Sequence, residues 1–158
     1  MGACIILPPQ ISENRKQLRW YACGNVPGDI DALLKPRKNQ IGPYETIAIL
    51  FGMDTFDAFL DNAEIILYVD NTEAQGIVTN GFAHSSDSAV LAGLVWTRVA
   101  EHGASLWVER VASKDNVADW PSRPNPTNLS YLSDLGFKEF PGGGRLRGDV
   151  CIELLKLE

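Results

Sequence analysis

The sequence predicts an α/β fold, because a buried strand ends in a carboxylate and alternates with helical segments. Residues 65–69 are a continuous apolar run, and Asp70 follows it immediately. Such β-branched and aromatic runs are typical of a strand buried on both faces in the middle of an α/β sheet. Residues 72–78 then predict a short helix, with Asn71 or Thr72 available as its N-cap. Asp70 is therefore either a site residue at the carboxyl end of a central strand or part of a helix cap.

Composition limits the class of protein. The chain has 158 residues, of which 45% are apolar, and this predicts one folded domain with a real core. No apolar run approaches the roughly 18 residues of a membrane span, so membrane insertion is not expected. The first residues lack the features of a signal peptide, and the three cysteines have no paired spacing. We therefore expect an intracellular, reducing compartment and no zinc site.

The net charge of −6 argues against a protein that binds polyanions through charge alone. It is compatible with a divalent-cation site, because the cation itself supplies local positive charge. The one basic cluster comprises Lys35, Arg37 and Lys38. It predicts a solvated loop, or alternatively a loop that contacts phosphate.

The remaining elements follow in order. Residues 2–7 and 15–23 predict two strands of an antiparallel hairpin. A helix begins at residues 42–45, since proline and an acid both suit a first turn. A second long helix is predicted over residues 87–102, with a buried stripe at Leu91, Leu94, Val95 and Val99 that Arg98 flanks. Residues 105–111 predict the next strand.

A short motif after that strand carries the most specific information. Residues 116–123 read NVADWPSR, and Asp119 stands 49 positions after Asp70. This motif, the strand end at residues 69–71 and the helix with Glu45 resemble the ribonuclease H domain of retroelement reverse transcriptases of the long-terminal-repeat type. The resemblance implies a mixed five-stranded sheet flanked by helices. It also implies an endonuclease that cuts RNA in RNA–DNA hybrids at a cluster of four carboxylates holding two Mg²⁺ ions, for which Mn²⁺ could substitute.

Three carboxylates can be assigned by this resemblance. Glu45, Asp70 and Asp119 are the implied catalytic and metal-binding residues. The implied nucleic-acid contacts are Asn71, Lys114, Asn116 and Arg123. The family's first strand and its catalytic Asp have no counterpart before residue 2.

Two functions therefore stay open at this stage. One is an active, Mg²⁺-dependent nuclease of RNA–DNA hybrids. The other is a catalytically inactive ribonuclease H-like fold that binds protein partners as a subunit of a larger assembly. Residues 1–124 are the predicted domain, and residues 125–158 a C-terminal extension. An added strand at residues 150–158 is expected either to replace the missing first strand or to dock on a sheet edge or a partner.

Overall fold

The computed structural model describes residues 1–9, 17–38 and 40–157, which contain both strands and helices. Short 3₁₀ turns lie at Asp57–Phe59 and Ser113–Asp115. None of the helices in these ranges is long and apolar enough to cross a membrane. The elements are β1 (Gly2–Leu7), β2 (Leu18–Cys23), α1 (Gly28–Leu33), α2 (Ile41–Thr55), β3 (Glu64–Val69), α3 (Thr72–Asn80), α4 (Ser86–Glu101), β4 (Ser105–Arg110), α5 (Asp119–Ser122), α6 (Pro126–Asp134), β5 (Lys138–Glu139) and α7 (Asp149–Leu155).

The strands form two separate sheets. β1 and β2 pair as the predicted antiparallel hairpin, with Gly2 opposite Cys23, and β5 adds in parallel to the other edge of β2. β3 and β4 pair in parallel, with Glu64 opposite Ser105. The α/β class is therefore confirmed. The five described strands are divided three and two between the sheets, and do not form one continuous sheet.

Helix α2 joins the two sheets through its side chains. Leu50 belongs to a large apolar cluster with Val69 of β3 and Val95 of α4. Phe51, the next residue, belongs to a smaller cluster with Ala3 of β1. Because neighbouring positions of one helix enter both clusters, α2 links the apolar cluster that contains Val69 to the one that contains Ala3.

The prediction that β3 is buried on both faces is wrong. Ile66 and Tyr68 are 59% and 60% exposed, and Trp107, opposite Ile66 on β4, is 66% exposed. The alternate residues Ile65 and Leu67 pack against the apolar cluster that α2 and α4 build. The apolar run is therefore real, but helices cover only one face of it in the described part of the chain.

The strand predicted at residues 150–158 is also wrong. Residues 149–155 form helix α7, and residue 158 lies outside the described residues. Val150 and Leu154, four positions apart, are buried in the main apolar cluster, whereas Ile152 and Leu155 are largely exposed. That spacing is the period of a helix with one buried face, and the sequence analysis missed it because the run is almost continuously apolar.

A buried ion cluster fixes the segment before α7. Arg98 of α4 donates from Nε to Asp54 Oδ1 at 2.7 Å, and from Nη1 and Nη2 to the two carboxylate oxygens of Asp149 at 2.8 Å each. The Arg147 backbone N–H donates to Asp54 Oδ2 at 2.8 Å. Arg98 does not merely flank the buried stripe, as predicted, but is itself 1% exposed. Residues after 124 thus share the core with the residues before it.

The basic loop is tied to the start of α4. Arg37 Nη1 donates to Ser85 Oγ at 3.0 Å and to Ser88 Oγ at 3.1 Å, and Arg37 also pairs with the buried Asp87. The Lys35 backbone N–H donates to Asp87 as well, at 3.0 Å. Protein groups thus hold Arg37, whose side chain is 21% exposed, whereas Lys35 and Lys38 are exposed, as a solvated loop predicts. Contact with phosphate stays a prediction.

Candidate functional site

The three predicted carboxylates come from three separate elements. Glu45 lies near the start of α2, Asp70 follows the last residue of β3, and Asp119 begins α5. In linear sequence they are far apart. In the fold, Glu45 and Asp119 line one cavity, and the charge of Asp70 is near enough to both to act on their pKa values.

The helix after β3 is capped by Asn71. The Asn71 side-chain oxygen accepts a hydrogen bond from the Ala74 backbone N–H at 2.9 Å. This confirms Asn71 as one of the two predicted caps. Helix capping therefore does not explain the presence of Asp70, which lies one position earlier, at the end of the strand.

The position of Asp119 depends on a close contact with β1. The start of α5 follows a turn in which Asn116 Oδ1 accepts from the Ala118 backbone N–H at 3.1 Å. A Cβ atom at Gly2 would lie 2.3 Å from the Ser122 backbone nitrogen and 2.4 Å from the Ala118 carbonyl oxygen. Only glycine fits there. The start of β1 therefore packs directly against the backbone of the segment that carries Asp119.

Glu45 and Asp119 face one small cavity. Its volume is about 190 Å³, and it opens where β1 begins, beside the first turns of α2. The sequence analysis named three of its lining residues, Glu45, Asn116 and Asp119, and missed the others. The side chains and backbone that line it are those of Met1, Gly2, Val26, Tyr44, Glu45, Ala48, Asn116, Ala118, Asp119 and Ser122.

Burial and mutual repulsion raise the pKa values of two of the acids. Burial is the largest cause for Glu45, and the charges of Asp70 and Asp119 raise its pKa further. Burial also raises the pKa of Asp119, and Asp70 adds to it. The positive charge of Arg123 acts in the opposite direction on both groups. The site is thus a cluster of negative charges, and nearby positive charge offsets their mutual repulsion only in part.

Two cations compensate the acids: the Met1 amino group lowers the pKa of Glu45, and Arg123 acts on both Glu45 and Asp119. Arg123 makes the direct contact. Its Nη2 donates to Asp119 Oδ2 at 3.1 Å, in an i, i+4 pair whose arginine side chain is 74% exposed. Such exposed pairs contribute little to stability, about 0.3–0.5 kcal/mol on a helix. Arg123 can therefore leave Asp119 at small cost when a ligand competes for it.

Three of the four predicted nucleic-acid contacts are hydrogen-bonded within the fold. Asn71 is engaged as the α3 cap, Asn116 holds the turn before α5 and lines the cavity, and Arg123 pairs with Asp119. Lys114 lies exposed in the 3₁₀ turn Ser113–Asp115. Their role toward nucleic acid stays a prediction.

The acidic side chains of the described residues are not spaced as the predicted Mg²⁺ site requires. Within residues 1–9, 17–38 and 40–157, no group of three or more His, Cys, Asp or Glu side chains is close enough to hold a metal ion. Carboxylates are the ligands that Mg²⁺ prefers, so the donor chemistry suits the ion although the spacing does not. Mg²⁺ binding therefore stays a prediction.

Tyr44 is the missed residue with the clearest signal. It lies beside Glu45 in the sequence, lines the same cavity, and its hydroxyl is hydrogen-bonded to Asp31. That bond is the largest of the causes that raise the Tyr44 pKa. An aromatic neighbour of a proposed site acid could have been singled out from the sequence, but its partner on α1 could not.

Comparison of the chain with protein-family models, curated proteins and solved structures found no match. The resemblance to ribonuclease H domains therefore depends on the motif residues and on their positions in the fold. Two of those positions agree with the expectation: Asp70 stands at a strand end, and Asp119 begins a helical turn.

Proposed function

We propose that this chain is a ribonuclease H-like domain that cuts RNA in RNA–DNA hybrids, with Glu45, Asp70 and Asp119 as its acidic site. The observation that carries the proposal is the convergence of three acids from α2, β3 and α5 on one edge. There, Asp70 raises the pKa of both Glu45 and Asp119. Clustered like charges oppose folding, so their presence favours a functional explanation over a structural one.

The residues themselves supply three things toward such a reaction. Glu45, with its raised pKa, can hold a proton at a higher pH than an ordinary carboxylic acid. The acidic edge attracts a divalent cation, which in phosphodiester cleavage stabilises the attacking and leaving oxygens. Exposed Arg123, which pairs with Asp119, and exposed Lys114 can contact phosphates of a bound strand.

A second function is favoured by a different observation. In the described residues, no cluster of side chains is spaced to hold a metal ion, and Arg123 partly neutralises the charge of Asp119. An inactive ribonuclease H-like fold that serves as a structural or interaction subunit would have this geometry. In that case the protein binds other proteins and leaves hybrids intact.

Cleavage of a labelled hybrid separates the two functions. We expect the purified chain, with millimolar Mg²⁺ or Mn²⁺, to cut the RNA strand of an RNA–DNA hybrid and to spare duplex DNA of the same sequence. Asp70→Asn should lower the rate by about two orders of magnitude or more, because the role of a site carboxylate is lost. The matched control is Asp134→Asn, an equally small change at an exposed acid of α6.

Two results would count against the proposal. If the wild-type chain cuts no hybrid with either cation, the inactive fold is the better description. If Asp70→Asn cuts as fast as wild type, another site or a contaminating nuclease is responsible for the activity.

A further inference from the structure

The parallel pair β3–β4 has one open face. Side chains alternate between the two faces of a strand, and those on the open face are Glu64, Ile66, Tyr68, Ser105, Trp107 and Glu109. All six of these residues are exposed. Ile65 and Leu67 lie on the opposite face and pack against the main apolar cluster. In the described part of the chain, helices therefore cover one face of this sheet and leave the other open.

Large apolar side chains occupy the centre of the open face. Ile66, Tyr68 and Trp107 are 59%, 60% and 66% exposed, and Ile66 lies directly opposite Trp107 in the register. The Trp107 indole N–H donates to Glu109 Oε1 at 2.7 Å, and this bond restrains the ring on the face. A contiguous exposed apolar patch marks an interaction site, whereas single exposed apolar residues are ordinary.

The sheet type indicates which kind of element covers this face. Parallel strands occur almost only in sheets that helices cover on both faces. β3 and β4 are parallel from the pair of Glu64 with Ser105 to the pair of Val69 with Arg110. The element that suits the open face is therefore an α-helix with an apolar stripe.

The charges of the face indicate which polar residues that helix carries. Glu64 and Glu109 lie at opposite ends of the apolar centre, opposite Ser105 and Tyr68 respectively. Both charged residues of the face are acidic, and its six residues include no Lys or Arg. Lys or Arg side chains on either side of the apolar stripe complement these two acids.

A second copy of this chain does not supply such a helix. Among α1 to α7, the helices of the described residues, the only Lys or Arg is Arg98, and it is 1% exposed. Two copies placed face to face would also bring like charges together, since each contributes Glu64 and Glu109. The occupant that fits is therefore a different protein.

We propose that the open face of β3–β4 binds a cationic amphipathic helix of a partner protein. The apolar stripe of the helix covers Ile66, Tyr68 and Trp107, and its Lys or Arg side chains pair with Glu64 and Glu109. A six-residue strand spans about 20 Å, which a helix of about 14 residues matches in length. The proposal does not depend on the proposed nuclease activity, because none of these five residues belongs to the acidic site.

The probe is a synthetic peptide of two copies of Leu-Lys-Lys-Leu-Leu-Lys-Ala, with blocked termini and a fluorescent label. Its leucines recur at helical spacing and form one apolar stripe, which lysines flank. The matched control replaces every Lys by Glu and keeps the stripe. RNA–DNA hybrid and metal are left out, so the outcome is independent of whether the chain cuts RNA.

Binding is measured by fluorescence anisotropy, and the bound surface is mapped by backbone amide shifts of the ¹⁵N-labelled full chain. We expect one basic peptide per chain and no binding of the acidic peptide. The amide shifts should concentrate in residues 64–69 and 105–110, because the helix lies along both strands.

Two pairs of variants test the residues of the face, all four at exposed positions. Tyr68→Ser should weaken binding about tenfold, since central aromatic side chains dominate interface energetics. Tyr131→Ser, the same change on α6, should alter binding less than about twofold. Glu64→Lys should weaken binding about fivefold, and Glu139→Lys, the same charge reversal on β5, less than about twofold.

Four results would overturn the proposal. The first is no binding of the basic peptide, or equal binding of the acidic one. The second is a set of amide shifts confined to the segments around Glu45 and Asp119, because the peptide would then occupy the acidic site. The third is an equal effect of the two members of either variant pair. The fourth is a dimer of the free chain that Tyr68→Ser dissociates, because the occupant would then be a second copy.

Discussion

Two clusters of charged residues in this molecule are built in opposite ways. In the ion cluster of Arg98, Asp54 and Asp149, each buried carboxylate oxygen lies near a guanidinium donor, and Arg98 and Asp54 are 1% and 0% exposed as side chains. At the acidic edge, Asp70 and Asp119 raise the pKa of Glu45, and Arg123, which pairs with Asp119, is 74% exposed. The first cluster is compensated inside the protein, and the second is not.

This difference separates structural charges from candidate functional ones. Burial lowers the pKa of Arg98, but the hydrogen bonds of Asp149 and Asp54 outweigh it and the net shift is upward. The same bonds lower the pKa of Asp149. The two carboxylates stabilise the charged form of Arg98, and Arg98 stabilises that of Asp149. At the acidic edge the charges of Asp70 and Asp119 raise the pKa of Glu45, and Asp70 also raises that of Asp119, so an external cation would make the cluster more favourable.

The largest effect is expected from breaking the compensated cluster. Arg98→Met removes the guanidinium and leaves Asp54 buried without a countercharge. The free energy of unfolding should fall by about 3–5 kcal/mol, as for other broken buried ion pairs. Denaturant unfolding of wild type and variant measures it.

Arg123→Met is the matched control, because it removes the same group from the acidic edge. There we expect a loss of at most about 1 kcal/mol, since the pair is exposed. Equal losses for the two variants would show that the clusters do not differ as described.

The same substitution should have opposite signs in the two clusters. Asp149→Asn removes the charge that Arg98 binds and should destabilise the protein by about 1–3 kcal/mol. Asp70→Asn removes a charge that repels Glu45 and Asp119, so stability should stay unchanged or rise by up to about 1 kcal/mol. A clear loss of stability in Asp70→Asn would mean that Asp70 is structural.

A smaller effect is expected at the end of α4, where His102 lies between two acids. Its Nδ1 is 2.6 Å from Asp61 Oδ1 and its Nε2 is 3.1 Å from Asp57 Oδ1. The hydrogen bond to Asp61 is the largest cause that raises the His102 pKa, and Asp57 adds to it against the opposing effect of burial. Arg145, 3.5 Å from Asp57, is the nearby cation.

The direction of the pH dependence of stability follows from the raised pKa of His102. A pKa raised on folding gives stability that is fully present below the unfolded value of about 6.5 and is lost as the pH rises through the folded value. Wild type should therefore exceed His102→Gln by about 1 kcal/mol or less at pH 5.5, and the difference should shrink above pH 6.5. Urea unfolding of both proteins across this pH range measures the stability difference. A difference that grows with pH would contradict the raised pKa of His102.

Much of the fold could be predicted from local sequence signals. β1, β3, α4 and the α3 cap at Asn71 follow from apolar runs and capping residues, and the structure has them within a few residues of the predicted ends. The three proposed site acids were named through the resemblance, which the Glu45 helix, the strand end at Asp70 and the short motif around Asp119 carry. What these predictions share is that each depends on residues close together in the chain.

The predictions that were wrong depend on contacts between residues that are distant in the chain. The burial of Arg98 depends on Asp54 and Asp149, which lie 44 and 51 positions away. The exposed face of β3 depends on which helices cover the sheet. Helix α7 has an almost continuously apolar sequence, and only its packing against α1 and α4 distinguishes a helix from a strand. Local pattern could not decide these questions.

The most direct test of the acidic edge is the titration of its carboxyl groups by NMR on ¹³C-labelled protein, in wild type and in Asp70→Asn. We expect the pKa values of Glu45 and Asp119 to lie above their ordinary range in wild type, and both to fall in Asp70→Asn. Glu45 should stay partly raised, because burial is its largest cause. Asp134→Asn should leave both unchanged. If Asp70→Asn moves neither pKa, the three carboxylates do not share one site, and the central claim is wrong.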